Sequence, residues 1–143
     1  MIVAIIVNST VIAIVVMVHF ESLRQMSYWI PKLPKAGRSR VVVGVFGSLV
    51  THVLEVWIFA FSFYWYVREA HRGVLTGNFD GTLLDCVYFS LTNYTSPGYG
   101  DIVPVGNVRF LAVLQGLVGL VMIGWTASFI YVEMTSQWRD RES

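Results

Sequence analysis

Two ionisable residues stand where ionisable residues are expensive. His52 and Glu55 lie inside an apolar run that extends from Val41 to about Val67. Groups of this kind within a membrane segment face protein or water and take partners. Their spacing of three places them on one face of a helix. They can bond each other, or reach Trp125 or Thr126 of the last apolar run and tie two helices together. An imidazole also titrates near neutral pH, so the same pair is a candidate proton or metal sensor. A second candidate site is the stretch from Thr95 to Asp101, which holds Gly98 and Gly100. It follows a helix-start pattern, Thr82 as cap with Asp85 three residues on. The helix predicted from there ends near Thr92 or Asn93, too short to span a bilayer. A short helix and a glycine-bearing stretch between two spanning runs read as a re-entrant loop. No Ser, His and Asp residues fall together as nucleophile and base, so an enzyme is not expected.

The elements that must carry these residues are apolar. Of the 143 residues, 55% are hydrophobic and 13% charged, a balance that points to a bilayer as solvent. The net charge of +1 supplies no basic face, so no nucleic-acid partner is expected. The single Cys86 can form no intrachain disulfide and reads as a small apolar packing residue. The segment 1–20 is expected to be a retained N-terminal transmembrane helix, because it lacks a basic start and a small-residue cleavage site. Within it, Asn8, Ser9 and Thr10 match a glycosylation pattern that an apolar run makes unusable. The segment 21–40 carries Arg24, Lys32, Lys35, Arg38 and Arg40 against Glu21, and Pro31 and Pro34 break a helix there. It reads as a basic cytoplasmic loop, with Tyr28 and Trp29 at the interface and anionic lipid as the sharper alternative. His19 and Glu21 are expected at the interface rather than in a metal site.

The rest divides as a unit over 41–133. An outer helix is predicted over 41–67, a polar exposed loop over 68–81 and a short helix over 82–94. A glycine-bearing stretch follows over 95–101, then a last helix over 108–133 and a tail over 134–143. The aromatics from Trp57 to Tyr66 are expected in an interfacial belt and in packing. The fold class is an all-α membrane protein with three spanning helices. The basic segment places the N-terminus outside and the C-terminus in the cytoplasm.

The stretch Thr95-Ser96-Pro97-Gly98-Tyr99-Gly100-Asp101 resembles the selectivity filter of potassium channels. Asp85-Cys86-Val87-Tyr88-Phe89-Ser90-Leu91-Thr92 resembles the pore helix of the small two-helix pore-loop channels. Asp101-Ile102-Val103-Pro104 is similar to their outer mouth, and the run from Arg109 to Gly119 with Trp125-Thr126-Ala127 to their inner helix. The surroundings of His52, Glu55, Trp57 and Tyr64 resemble those in small bacterial channels. The resemblance covers roughly 41–132, leaving the first helix as an addition. It implies a homotetramer, since one chain brings one loop and three further copies close the ring. It implies a cation pore lined by residues 95–100, with potassium held by the carbonyls of Ser96, Pro97, Gly98 and Tyr99. Gly98 and Gly100 relieve the backbone strain of such a path, and Tyr99 anchors it from behind. Asp101 would stand at the outer mouth and Thr92 would bond the back of the filter. Gly119 matches a hinge of the inner helix, and Leu120, Ile123, Ala127 and Tyr131 fall on the cavity side.

Ser96-Pro97 departs from that pattern. Proline removes an N–H tether and restricts the residue before it. Weak selectivity, or a non-conducting interaction or regulatory subunit, therefore stands as the alternative to a potassium-conducting channel. No cofactor is expected; potassium is cargo. Membrane lipids are the other partners, and the expected location is a plasma membrane, the inner membrane of a bacterium. Voltage gating is not expected, because no arginine-repeat helix is present.

Overall fold

The computed structural model describes residues 2–33, 37–68, 73–96 and 98–142, the side chains of 37–38 and 136–142 excepted. Pro97 therefore lies outside the described residues, as do Pro34, Lys35 and the side chain of Arg38. Among the described residues four α-helices form: α1 (Ile2–Trp29), α2 (Gly37–Arg68), α3 (Leu83–Tyr94) and α4 (Val108–Glu142). Three of them, α1, α2 and α4, are long and apolar enough to cross a membrane. The chain is an all-α, multi-pass membrane protein, with a two-stranded ribbon between its helices.

The helix α1 does not stop at 20. It runs to Trp29, because nothing before Pro31 breaks it. Glu21 also supports this turn by accepting from Arg24 Nε at 2.9 Å and from Gln25 at 3.1 Å. A 3-10 turn at Ile30–Lys32 then ends the element. Arg40 of α2 donates to the Pro31 and Leu33 carbonyls at 2.8 and 2.7 Å and clamps the turn. Most of the segment expected as a basic loop is thus helix. His19 sits in the interior of α1 rather than at an interface, and is fully buried. At the other end, α4 runs past 133 to Glu142. No Gly or Pro follows Gly124 to stop it.

The connection expected as a plain exposed loop contains β1 (Val74–Gly77), paired antiparallel with β2 (Ile102–Val105). The ribbon buries Leu75 and Ile102. Gly77, at φ 98°, lets its backbone approach the Asp101 carbonyl, which also accepts from Asn78 N–H at 2.8 Å.

The helix α3 begins with the capping box read from the sequence. The Thr82 hydroxyl accepts from Asp85 N–H at 3.1 Å, and the Asp85 carboxylate accepts from Thr82 N–H at 3.1 Å. Replacing Thr82 by Ala is expected to cost about 1 kcal/mol, read as a lower melting temperature in detergent. The Thr82 side chain and backbone, with the Asp80 N–H, hold the Asp85 carboxyl below its ordinary range. A depressed carboxyl stabilises the fold above its unfolded value and loses that contribution as pH falls through the folded value. Asp85→Asn is expected to remove this acid limb of the melting profile.

The core lies where α3 packs between α2 and α4. Phe59, Phe63, Tyr66, Phe89, Leu111 and Met122 are buried there, and the Phe63 and Phe89 rings meet edge-on at 4.9 Å. The aromatic run of α2 thus divides: Phe59, Phe63 and Tyr66 are core, whereas Phe61 and Trp65 face outward. Tyr66 donates to the buried Asn8 of α1 at 2.8 Å, which docks the first helix. The outward faces of α1 and α2 are rich in Ile, Val and Phe, as lipid contact requires.

Candidate functional site

The loop after α3 starts as a continuation of the helix. Thr95 N–H and its hydroxyl both bond the Leu91 carbonyl, at 3.2 and 2.9 Å. The chain then breaks away at Ser96, whose φ of 67° makes it the one left-handed non-glycine among the described residues. Gly98 and Gly100 follow at φ 47° and 77°. Alternate positions 96, 98 and 100 are therefore left-handed. Gly98 N–H reaches back to the Thr92 carbonyl at 3.5 Å, a long contact. The Thr92 hydroxyl instead bonds within its own helix, to the Phe89 carbonyl at 3.0 Å. The tether behind this loop is thus a backbone carbonyl, not the expected side chain. Tyr99 does not anchor the loop within its own chain, since its side chain is 71% exposed.

Behind the loop α3 is tied to its neighbours by buried polar groups. Gln115 of α4 donates to the Ser90 carbonyl and hydroxyl oxygen at 3.1 and 2.7 Å. Ser90 in turn donates to the Val56 carbonyl of α2 at 2.8 Å. Asn93 donates to Gln115 at 2.9 Å and to the Ala112 carbonyl at 2.6 Å. At Gly119 the two helices touch: a Cβ there would overlap the Tyr94 carbonyl oxygen.

A second cluster gathers one or more residues from every helix. Glu55 of α2 is fully buried and accepts from His19 Nδ1 of α1 at 2.7 Å. It also accepts from the Tyr94 hydroxyl of α3, and lies 3.3 Å from His52 Nδ1. His52 Nδ1 is 3.0 Å from the Tyr94 hydroxyl oxygen. The Thr126 hydroxyl of α4 faces His52 Nε2 at 3.1 Å and His19 Nε2 at 3.5 Å. Trp125 packs on His19, ring centres 5.2 Å apart.

Comparison with known proteins matches residues 41–136 to a family model described as an ion channel. The chain belongs to this ion-channel family. No curated protein and no solved structure matches it. The matched span takes in α2 from Val41 onward, the ribbon, α3 and the hydrophobic part of α4. The helix α1 of this channel is additional to the matched unit, and so is His19.

The family therefore accounts for a channel, not for a catalyst. Leu120, Ile123, Ala127 and Tyr131 are exposed on the single chain, a free apolar strip along α4. Ile123 and Ala127 also line a cleft of about 420 Å³ with His52, Leu91, Tyr94 and Thr95. Gly119 is packed against α3 rather than standing free as a hinge. Asp101 is half-buried beside the ribbon, where it raises the Tyr88 hydroxyl above its ordinary range through a hydrogen bond. Sequence reasoning missed His19, Ser90, Asn93, Tyr94 and Gln115. Gln115 carried a usable signal, a polar residue inside an apolar run. Nothing local marked Tyr94.

Proposed function

We propose that four copies of this chain close a ring whose 95–100 loops pass dehydrated cations, potassium foremost. The observation that carries this reading is the left-handed angle at positions 96, 98 and 100 directly after a helix too short to span. A backbone with that alternation can turn successive carbonyls to one side and replace an ion's hydration shell. The carbonyls of Ser96, Pro97, Gly98 and Tyr99 are the oxygens so used. The C-terminal, partly negative end of α3 lies at the base of the loop and favours a cation there. Asp101 stands at the outer mouth, and the exposed strip of α4 from Leu120 to Tyr131 lines the cavity below. Arg24, Lys32 and Arg40 put the α1–α2 connection in the cytoplasm, the N-terminus outside and the C-terminus inside, in a bacterial inner membrane.

Ser96 lacks glycine's freedom, and a left-handed angle costs an ordinary residue roughly 1–2 kcal/mol. With Pro97 beside it supplying no N–H, the inner end of the filter is expected to discriminate weakly. Liposomes containing the pure protein are expected to take up potassium in a barium-sensitive way. No flux would assign the chain to a non-conducting membrane subunit. Bi-ionic reversal potentials decide the finer point: strong potassium-over-sodium preference overturns weak discrimination. Introducing Ser96→Thr with Pro97→Val is expected to raise that preference.

A further inference from the structure

The cluster of His19, His52, Glu55, Tyr94 and Thr126 can be counted proton by proton. The Glu55 carboxylate accepts from His19 Nδ1–H and from the Tyr94 hydroxyl. His52 Nδ1–H points at the same carboxylate and at the Tyr94 oxygen. Each ring therefore carries hydrogen on Nδ1, and each Nε2 faces the Thr126 hydroxyl. A hydroxyl has one proton to give and two lone pairs. If both rings are neutral, both Nε2 atoms are acceptors, and Thr126 serves only one. With one added proton the circuit closes. One Nε2–H donates to Thr126 Oγ1, and the Thr126 O–H donates to the other Nε2. The same proton cancels the charge on Glu55, which is 0% exposed and needs a counter-charge at this depth.

A divalent metal is the competing occupant, because ligand atoms of His19, His52 and Glu55 lie within 4.8 Å of one another. The spacing disfavours it. Ligands sharing one tetrahedral zinc at its usual bond lengths stand roughly 3.3 Å apart. The His19–Glu55 contact is 2.7 Å, and Tyr94 lies closer still to Glu55. These are distances for shared protons.

We propose that this cluster is a binding site for one exchangeable proton, shared by His19 and His52 through Thr126. The loaded site fastens α4 to α1 and α2 and holds Tyr94, the residue before the loop. The groups facing the proton are His19 from α1, His52 and Glu55 from α2, and Tyr94 from α3. Thr126 and the Trp125 ring complete the surroundings from α4. Loss of the proton leaves Thr126 bonded to one ring only and Glu55 uncompensated, which loosens α4 at this level, while Gln115 still binds it to α3. The site thus adds a regulatory ligand to the channel, and it requires the additional helix.

The test is nitrogen-15 NMR of histidine-labelled full chain in lipid nanodiscs, in a His71→Gln background so that only the two cluster rings report. The expected result for the native chain is one imidazolium per chain, exchanging between His19 and His52. Glu55→Gln, close to isosteric, is expected to abolish that imidazolium. Thr126→Ser is expected to keep the exchange, and Thr126→Val to confine the proton to one ring. The proton dependence of cation flux follows the same order, kept in Thr126→Ser and lost in Thr126→Val. Two neutral rings in the native chain, or an imidazolium that survives Glu55→Gln, overturns the proposal. So does uptake of one equivalent of zinc from zinc chloride by the native chain but not by His19→Gln. Should Thr126→Val fail to assemble, native chain against Glu55→Gln still decides. The proton count is read from the rings themselves, so a chain that conducts nothing leaves this test intact.

Discussion

Gly119→Ala is expected to destabilise the assembled protein by about 1–3 kcal/mol, the range for overpacking, and to lower cation flux at least tenfold. The sign is the informative part. In an ordinary helix interior, glycine is about 0.8–1 kcal/mol worse than alanine, so the naive expectation is stabilisation. Here the added methyl would overlap the Tyr94 carbonyl oxygen and also crowd the Tyr94 ring. Backbone cannot swing aside as a flexible side chain can. Either α4 moves off α3, or the end of α3 moves with Thr95 and Ser96, from which the loop departs. Gly116→Ala is the control on the same helix: its nearest neighbour would be the Asn93 carbonyl at 3.7 Å, an ordinary contact. Melting of the detergent-solubilised protein and liposome flux measure both variants. A Gly119→Ala protein as stable and as active as the native one removes the close contact from the account.

Glu55→Ala is expected to cost about 1–3 kcal/mol. Each hydrogen bond between transmembrane helices contributes roughly 0.6–1.7 kcal/mol, and Glu55 has two partners on other helices, His19 and Tyr94, with His52 on its own helix. That sum lies below the roughly 3–5 kcal/mol lost when one partner of a buried pair is removed. The desolvation of the carboxylate is recovered in the variant, so the lower figure is the better one. His19, fully buried, is left facing an emptied space. The first helix should then loosen selectively, because among the described residues the other polar docking of α1 to α2 is Tyr66 with Asn8 and the Ala4 carbonyl. Hydrogen exchange or cysteine accessibility along α1 measures that loosening. A variant whose α1 is as protected as the native one would show that apolar packing alone holds the first helix.

Much of the fold was legible because the bilayer imposes length and polarity on a helix. The apolar runs set three spanning elements. Thr82 with Asp85 set the start of α3, since a capping box is a local device. Boundaries set by weaker signals were not legible. Charged residues from Glu21 to Arg24 suggested a loop, yet a helix tolerates them on its outer face and ends only near Pro31. The ribbon of β1 and β2 was hidden for another reason. Its two strands are short, separated by the whole of α3 and its loop, and fixed by pairing rather than by periodicity.

The site divided in the same way. His52 and Glu55 announced themselves by standing in an apolar run three residues apart. His19 did not, because its position near charged residues looked interfacial. Its partner Glu55 is 36 residues away, and only the crossing of α1 and α2 brings them to 2.7 Å. Thr92 was read as a side-chain support of the loop, but its hydroxyl is satisfied inside its own helix, and it is its carbonyl that Gly98 N–H reaches, at a long 3.5 Å.

By itself the sequence determined the solvent, the spanning helices, the capped short helix and the glycine pattern of the loop. Each of these is a local property, decided by hydropathy, by capping or by the backbone freedom of glycine. Tertiary structure alone decided that Gly119 is a contact point against Tyr94, that Gln115 binds α3 from behind, and that Thr126 faces two imidazoles. Those facts depend on how α1, α2, α3 and α4 rotate and cross, and rotation about a helix axis is fixed by the neighbours it packs against.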